Sequence, residues 1–180
     1  MPKIIKHRCN SKAEIIAARD EGYDGAEVDL VWDRTNVNSM IMQHNHGGIG
    51  EPISFIEILD LPKHFTLALN VKEYGMAYEL KQLVTCKWFN CEYFIFDVPG
   101  AELEQYKNSG LTYFGRASEQ ELQLSNHGVL LDLEYTDIKK VEEARSEFSD
   151  FPIALISETL RGRKEWDLDA LELVDYLITK

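Results

Sequence analysis

Short runs of Ile, Val, Leu and Phe recur along the whole chain, and few of them alternate with polar residues. A strand with one face in water alternates apolar and polar side chains; a strand buried on both faces does not. The runs at 3–7, 25–31, 39–44, 66–72, 93–97, 111–116, 128–133, 152–157 and 175–179 therefore read as strands, most of them in a parallel sheet covered by helices. The segments between them supply those helices. Ser11-Lys12-Ala13-Glu14 is a capping box, in which Ser caps the first turn and Glu reaches back. The run 13–21 then has helical apolar spacing and stops near Gly22. Further helices are expected at 54–59, 76–87, 101–108, 137–148 and 165–173, and Ser118-x-x-Glu121 is a weaker capping box before a short helical turn.

The run 39–44 follows 25–31 too closely for a crossover helix, so it reads as a hairpin partner joined through the turn-rich stretch 33–38. Setting it aside leaves eight strands, most followed by a helix. That is the pattern of a (β/α)8 TIM barrel. Such a barrel usually takes about 250 residues, and this chain has 180. A compact barrel is expected, one domain over residues 1–180, with a hairpin after the second strand and some helices short or missing. An open doubly wound sheet is the alternative, and no GxGxxG or P-loop signature supports it.

The net charge of −12 repels polyanions, which argues against nucleic acid as a partner. No window reaches the roughly 18 apolar residues of a membrane span, and the N-terminus lacks a signal-like apolar run. Cys9, Cys86 and Cys91 are odd in number and form no CxxC pair, so neither a disulfide framework nor a zinc knuckle is suggested. A cytoplasmic protein is expected.

In a parallel barrel the active groups gather at the carboxyl ends of the strands. Those ends are unusually polar here: His7-Arg8, Glu27-x-Asp29, His44-Asn45-His46, Asn70-x-Lys72, Asp97, Arg116, Asp132-x-Glu134 and Ser157-Glu158. Positions i and i+2 of a strand face one side, so Glu27 and Asp29 would both enter the barrel mouth and could hold one hard cation. The same spacing also fits a charged pair on a solvated edge strand, a reading weakened by apolar Ala26, Val28 and Leu30 between and beside them. His7 and His44 are two imidazoles flanking that pair, able to move protons near neutral pH. Together these groups are the parts needed to break a phosphodiester. His46 reads as a loop residue, and His64 and His127 lie beside turns with no assigned role. Lys72 ends an apolar strand and must pair with a carboxylate, meet a substrate phosphate, or do each in turn. Arg116 and the Arg161-Gly162-Arg163 run could bind an anion, although a solvated loop also explains the latter.

The ordered set His7-Arg8, Gly25-Ala26-Glu27-Val28-Asp29, His44-Asn45 and Asn70-Val71-Lys72 resembles the glycerophosphodiester phosphodiesterases, within the wider phosphatidylinositol-phospholipase-C-like superfamily. The likeness is to a compact bacterial branch. It extends over most of the chain, through Tyr93-Phe94-Ile95-Phe96-Asp97, Leu131-Asp132 and Ser157-Glu158-x-x-Arg161-Gly162-Arg163. The resemblance implies a TIM barrel and a small-molecule phosphodiester substrate. It implies His7 and His44 as general acid and base, Arg8 and Lys72 on the phosphate, and Mg²⁺ or Ca²⁺ held by Glu27, Asp29 and Asn70, with Arg116 and Arg161 as further candidate substrate-binding residues. The family's Gly after His-Arg is Cys9 here, its Asp after the second His is Asn45, and its third acidic ligand is Asn70. An amide oxygen can ligate a hard cation with one charge fewer, so weak metal binding is expected. Two other readings stand beside this one: a non-catalytic relative binding phosphorylated small molecules, and an unrelated barrel enzyme with Lys72 as a Schiff-base nucleophile.

Overall fold

In the computed structural model, residues 1–36, 39–45, 49–54, 61–87, 89–117, 125–131, 138–156 and 171–179 are described. The strands are β1 (Lys3–Lys6), β2 (Gly25–Trp32), β3 (Met40–Met42), β4 (Glu51–Pro52), β5 (Thr66–Val71), β6 (Glu92–Phe96), β7 (Gly115–Ala117), β8 (Val129–Leu131), β9 (Ile153–Ile156) and β10 (Tyr176–Thr179). The helices are α1 (Lys12–Asp20), α2 (Ala77–Thr85), α3 (Leu103–Ser109, entered through a 3₁₀ turn at Gly100–Glu102) and α4 (Ile138–Glu147).

Eight of the strands are parallel and follow one another round a ring: β1 pairs β2, then β5, then β6, while β7, β8, β9 and β10 return to β1. The ring closes where Ile95 of β6 bridges Tyr113, with Ile95 N–H donating to Thr112 and Phe114 N–H donating back to Ile95. This is the expected (β/α)8 barrel. The expected hairpin is also present, since β3 runs antiparallel to the far end of β2 and β4 adds to β3. A two-residue strand holding a Pro on an edge has no apolar run to read, which is why the sequence pattern does not predict β4.

Period-two alternation divides the strand residues cleanly. Ile5, Ala68, Phe94, Phe96, Phe114, Leu130, Ala154 and Ile178 fill the barrel, with Phe94 and Phe114 stacked at 4.3 Å. Their neighbours Val28, Leu67, Leu69 and Ile95 face outward in the helix-covered core, as do Leu131, Leu155 and Leu177 on the other side of the ring. Gly25 sits where three strands converge: a Cβ there would lie 2.2 Å from the Thr66 carbonyl oxygen.

Ser11 caps α1, accepting from the Glu14 N–H; the Glu14 carboxylate reaches back to the Ser11 hydroxyl. Gly22, at φ 87°, follows the helix. The strand expected at 111–116 begins instead at Gly115, because the segment changes partner. Tyr113 bridges β6, and only Gly115–Ala117 pairs with β8. Most of the helices expected at 54–59 and 165–173 lies outside the described residues, as do the capping box at Ser118 and the far end of the strand expected at 128–133. No described helix is long and apolar enough to cross a membrane.

Candidate active site

The odd residues of β2 point into the barrel, so Glu27 and Asp29 rise from its apolar floor toward the carboxyl end and are almost wholly buried. Parallel pairing places Asn70 of β5 opposite Asp29, also buried. Two carboxylates in so little water need donors, and the chain supplies one at each oxygen. Glu27 Oε2 accepts the Arg8 backbone N–H at 2.7 Å, and Oε1 accepts Asn70 Nδ2 at 3.1 Å. Just past β1, the Arg8 backbone is left-handed, at φ 58°. Asp29 Oδ2 accepts Asn10 Nδ2 at 2.9 Å, while Asn10 Oδ1 accepts the Asp29 backbone N–H at 2.8 Å.

Burial, together with the charge of Asp29, pushes the Glu27 carboxyl up to about 7, against the Arg8 and Asn70 hydrogen bonds. Burial acts on Asp29 in the same direction but loses: the Asn10 hydrogen bond and the Lys72 charge hold it below the usual carboxylate range. The two carboxyls are thus pushed apart, Glu27 up and Asp29 down.

Each histidine sits on one member of the pair. His7 Nε2 is 3.7 Å from Glu27 Oε2, and its backbone N–H extends the β1–β10 pairing to Thr179. His44 Nδ1 lies 3.1 Å from Asp29 Oδ2. The Gln43 N–H bonds the Asp29 carbonyl and pins the end of β3 beside β2, which fixes that placement. An ionised Asp29 only accepts, so His44 must donate from Nδ1–H. Its Nε2 is then the basic nitrogen, on a side chain that is 42% exposed.

Lys72 Nζ is 3.1 Å from Asp29 Oδ1 and 4.0 Å from Asp97 Oδ2. Arg116 NH1 is 3.5 Å from Asp97 Oδ1. A chain of alternating charge thus crosses the mouth, from Asp29 through Lys72 and Asp97 to Arg116. Asp97, like Arg8, has a left-handed backbone, at φ 56°. An ammonium held between carboxylates is not the desolvated amine a Schiff-base mechanism needs, so that reading loses its residue.

The structure therefore brings His7, Glu27, Asp29, His44, Asn70, Lys72 and Arg116 together, with the Arg8 backbone. His46, Asp132, Glu134, Ser157, Glu158, Arg161 and Arg163 lie outside the described residues. Asn10, which orients Asp29, is a site residue that sequence reasoning missed; an Asn three residues beyond a strand-end His was its only signal. Cys9, the departure beside Arg8, turns away from the mouth into the core behind the sheet, and burial pushes its thiol up to about 12. It is no nucleophile.

Among the described residues no three His, Cys, Asp or Glu side chains form a metal cluster. The donor set is two carboxylates and an amide. Asn70 Oδ1 is buried and has no hydrogen-bond partner among the described residues. It is an oxygen of the kind a hard cation takes.

Compared with protein-family profiles and with curated proteins, the sequence matches none. Solved structures do match. One is glycerophosphodiester phosphodiesterase from Agrobacterium tumefaciens str. C58, at TM-score 0.70 and 13% identity, over 99% of this chain and 96% of that one. The fold is that of the glycerophosphodiester phosphodiesterases. A glycerophosphoryl diester phosphodiesterase domain from Mycobacterium tuberculosis matches at TM-score 0.64 and 12% identity, over 99% of this chain and 95% of that one. The match thus spans nearly the whole length of this chain and of each of those two.

Proposed function

We propose that this protein hydrolyses a small phosphodiester, glycerophosphodiester-like or sugar-linked, by two-histidine acid–base catalysis. One observation carries the reading: two imidazoles stand on the two members of a buried carboxylate pair, with Lys72 and Arg116 beside them.

His44 is the base. Its Nε2 takes the proton of the attacking hydroxyl, from water or from the substrate itself, while Asp29 holds the tautomer and stabilises the imidazolium that forms. The new P–O bond forms as the bond to the leaving alcohol breaks, and His7, supported by Glu27, protonates the departing oxygen. Lys72 and Arg116 meet the charge on the phosphoryl oxygens, where preorganised cations act most strongly. Glu27, Asp29 and Asn70 would hold Mg²⁺ or Ca²⁺, which when bound adds further positive charge beside the phosphate.

The substrate side follows from charge. A chain of net charge −12 disfavours polyanions and anionic membrane surfaces, so a soluble diester fits better than a lipid. Lipid turnover on phospholipid vesicles would overturn that part. The three free thiols suit a reducing cytoplasm. Asn70 in place of an acid favours one other reading, a binder of phosphorylated small molecules, which predicts thermal protection by phosphate esters without turnover.

Leaving-group dependence tests the roles. A nitrophenolate departs without a proton. His7→Ala should therefore keep most activity on a nitrophenyl diester and lose about 100-fold or more on an alkyl diester, whereas His44→Ala should lose on both. Equal losses on both substrates for His7→Ala would contradict the assignment.

A further inference from the structure

Lys72 occupies a place that phosphate binding alone does not explain. Its ammonium stands against Oδ1 of Asp29, one of the oxygens a divalent cation would need. The other oxygen, Oδ2, already takes Asn10 and His44. A divalent cation seated among Glu27, Asp29 and Asn70 would therefore meet Lys72 at Asp29 as a like charge. Asp97 lies on the far side of the same ammonium, and Lys72 Nζ is already 4.0 Å from its Oδ2. A shift of about 1 Å on a flexible four-carbon stem would complete a hydrogen bond there.

We propose that Lys72 is a built-in counter-ion for Asp29 which a divalent cation displaces, and that Asp97 is the seat that receives it. The inference rests on the metal assignment above and goes beyond it. Asp97 thereby becomes a positioning residue that acts on metal binding through Lys72.

A further feature supports this: Asp97 is only part-exposed beside the mouth, with Arg116 at its other oxygen.

Calorimetric titration with Mg²⁺, and separately Ca²⁺, at one fixed pH above about 8 tests it without any turnover. Lys72→Met removes the competitor and should bind the cation about tenfold more tightly than wild type. Asp97→Asn keeps a residue tolerant of left-handed φ but removes the seat's charge, and should bind several-fold more weakly. The double variant should bind as tightly as Lys72→Met alone, because Asp97 acts through Lys72. Asp97→Gly, free of backbone strain, should repeat the Asn result if charge is the cause. Weaker binding in Lys72→Met, an unchanged affinity in Asp97→Asn, or no binding in any variant would each overturn the exchange. Phosphodiester turnover in the same preparations is a separate readout: its absence would defeat the proposed hydrolysis and leave the order of affinities to decide the exchange.

Discussion

Replacing Glu27 by glutamine should flatten the dependence of stability on pH. A carboxyl titrating near 4.5 in the unfolded chain is pushed up to about 7 in the folded one, chiefly by burial. The native state therefore holds the proton more tightly. By linkage, the stability this group contributes is fully present below pH 4.5 and is lost as pH rises to about 7 and beyond. At 1.36 kcal/mol per tenfold change, the loss between pH 4.5 and 8 is about 3 kcal/mol, a large part of a small domain's margin. Asp29 acts in a different window. Its depressed value stabilises the fold above the unfolded value of 3.8, and that contribution is lost only in more acid solution. The glutamine introduced by Glu27→Gln would keep the site's hydrogen bonds. Its oxygen can accept the Arg8 N–H, and its amide can donate to Asn70 Oδ1 once the Asn70 amide turns over, which also satisfies that buried oxygen. Urea unfolding of both proteins at pH 4.5 and 8, in EDTA, is the assay. The difference between them cancels the other titrating groups. Wild type should lose about 3 kcal/mol relative to Glu27→Gln across that range. Parallel pH dependences would refute the reasoning, because Glu27 would then not be the strained acid of the pair.

Three other outcomes follow from the geometry. Asn10→Ala leaves the buried Asp29 N–H without its partner and should cost about 2 kcal/mol in urea unfolding, together with a fall in turnover larger than any rise in KM. Gly25→Ala drives a Cβ into the Thr66 carbonyl and should cost about 3 kcal/mol, or prevent folding, judged by circular dichroism and melting temperature. Iodoacetamide should modify Cys9 only in denaturant, because the thiol is buried and pushed up to about 12; rapid labelling of native protein at pH 8 would contradict that.

The barrel was legible because its strands are buried on both faces and so read as unbroken apolar runs. The β2–β3 hairpin was legible because the gap between its strands is too short for a helix. The site was legible where strand spacing alone decides direction, as for Glu27, Asp29, Asn70 and Lys72. It was not legible where the backbone leaves regular geometry. Arg8 and Asp97, whose backbone N–H and carboxylate serve the site, are both left-handed, and no apolar pattern encodes a positive φ. Asn10 was missed for a related reason: it reaches from a loop back across β2, a contact set by tertiary packing. The boundary of β7 slipped because its segment answers to two neighbours in turn.

The most direct test of the central claim is hydrolysis of a phosphodiester panel by wild type and His44→Ala, with Mg²⁺, with Ca²⁺ and with EDTA. The panel should hold glycerophosphodiesters, sugar-linked diesters and a nitrophenyl diester. His44 is part-exposed, so its removal should leave the fold intact. Two-histidine catalysis predicts turnover of at least one diester that depends on the divalent cation and is lost in His44→Ala. Undiminished hydrolysis by His44→Ala, or phosphate esters that raise the melting temperature while no diester is cleaved, would contradict it.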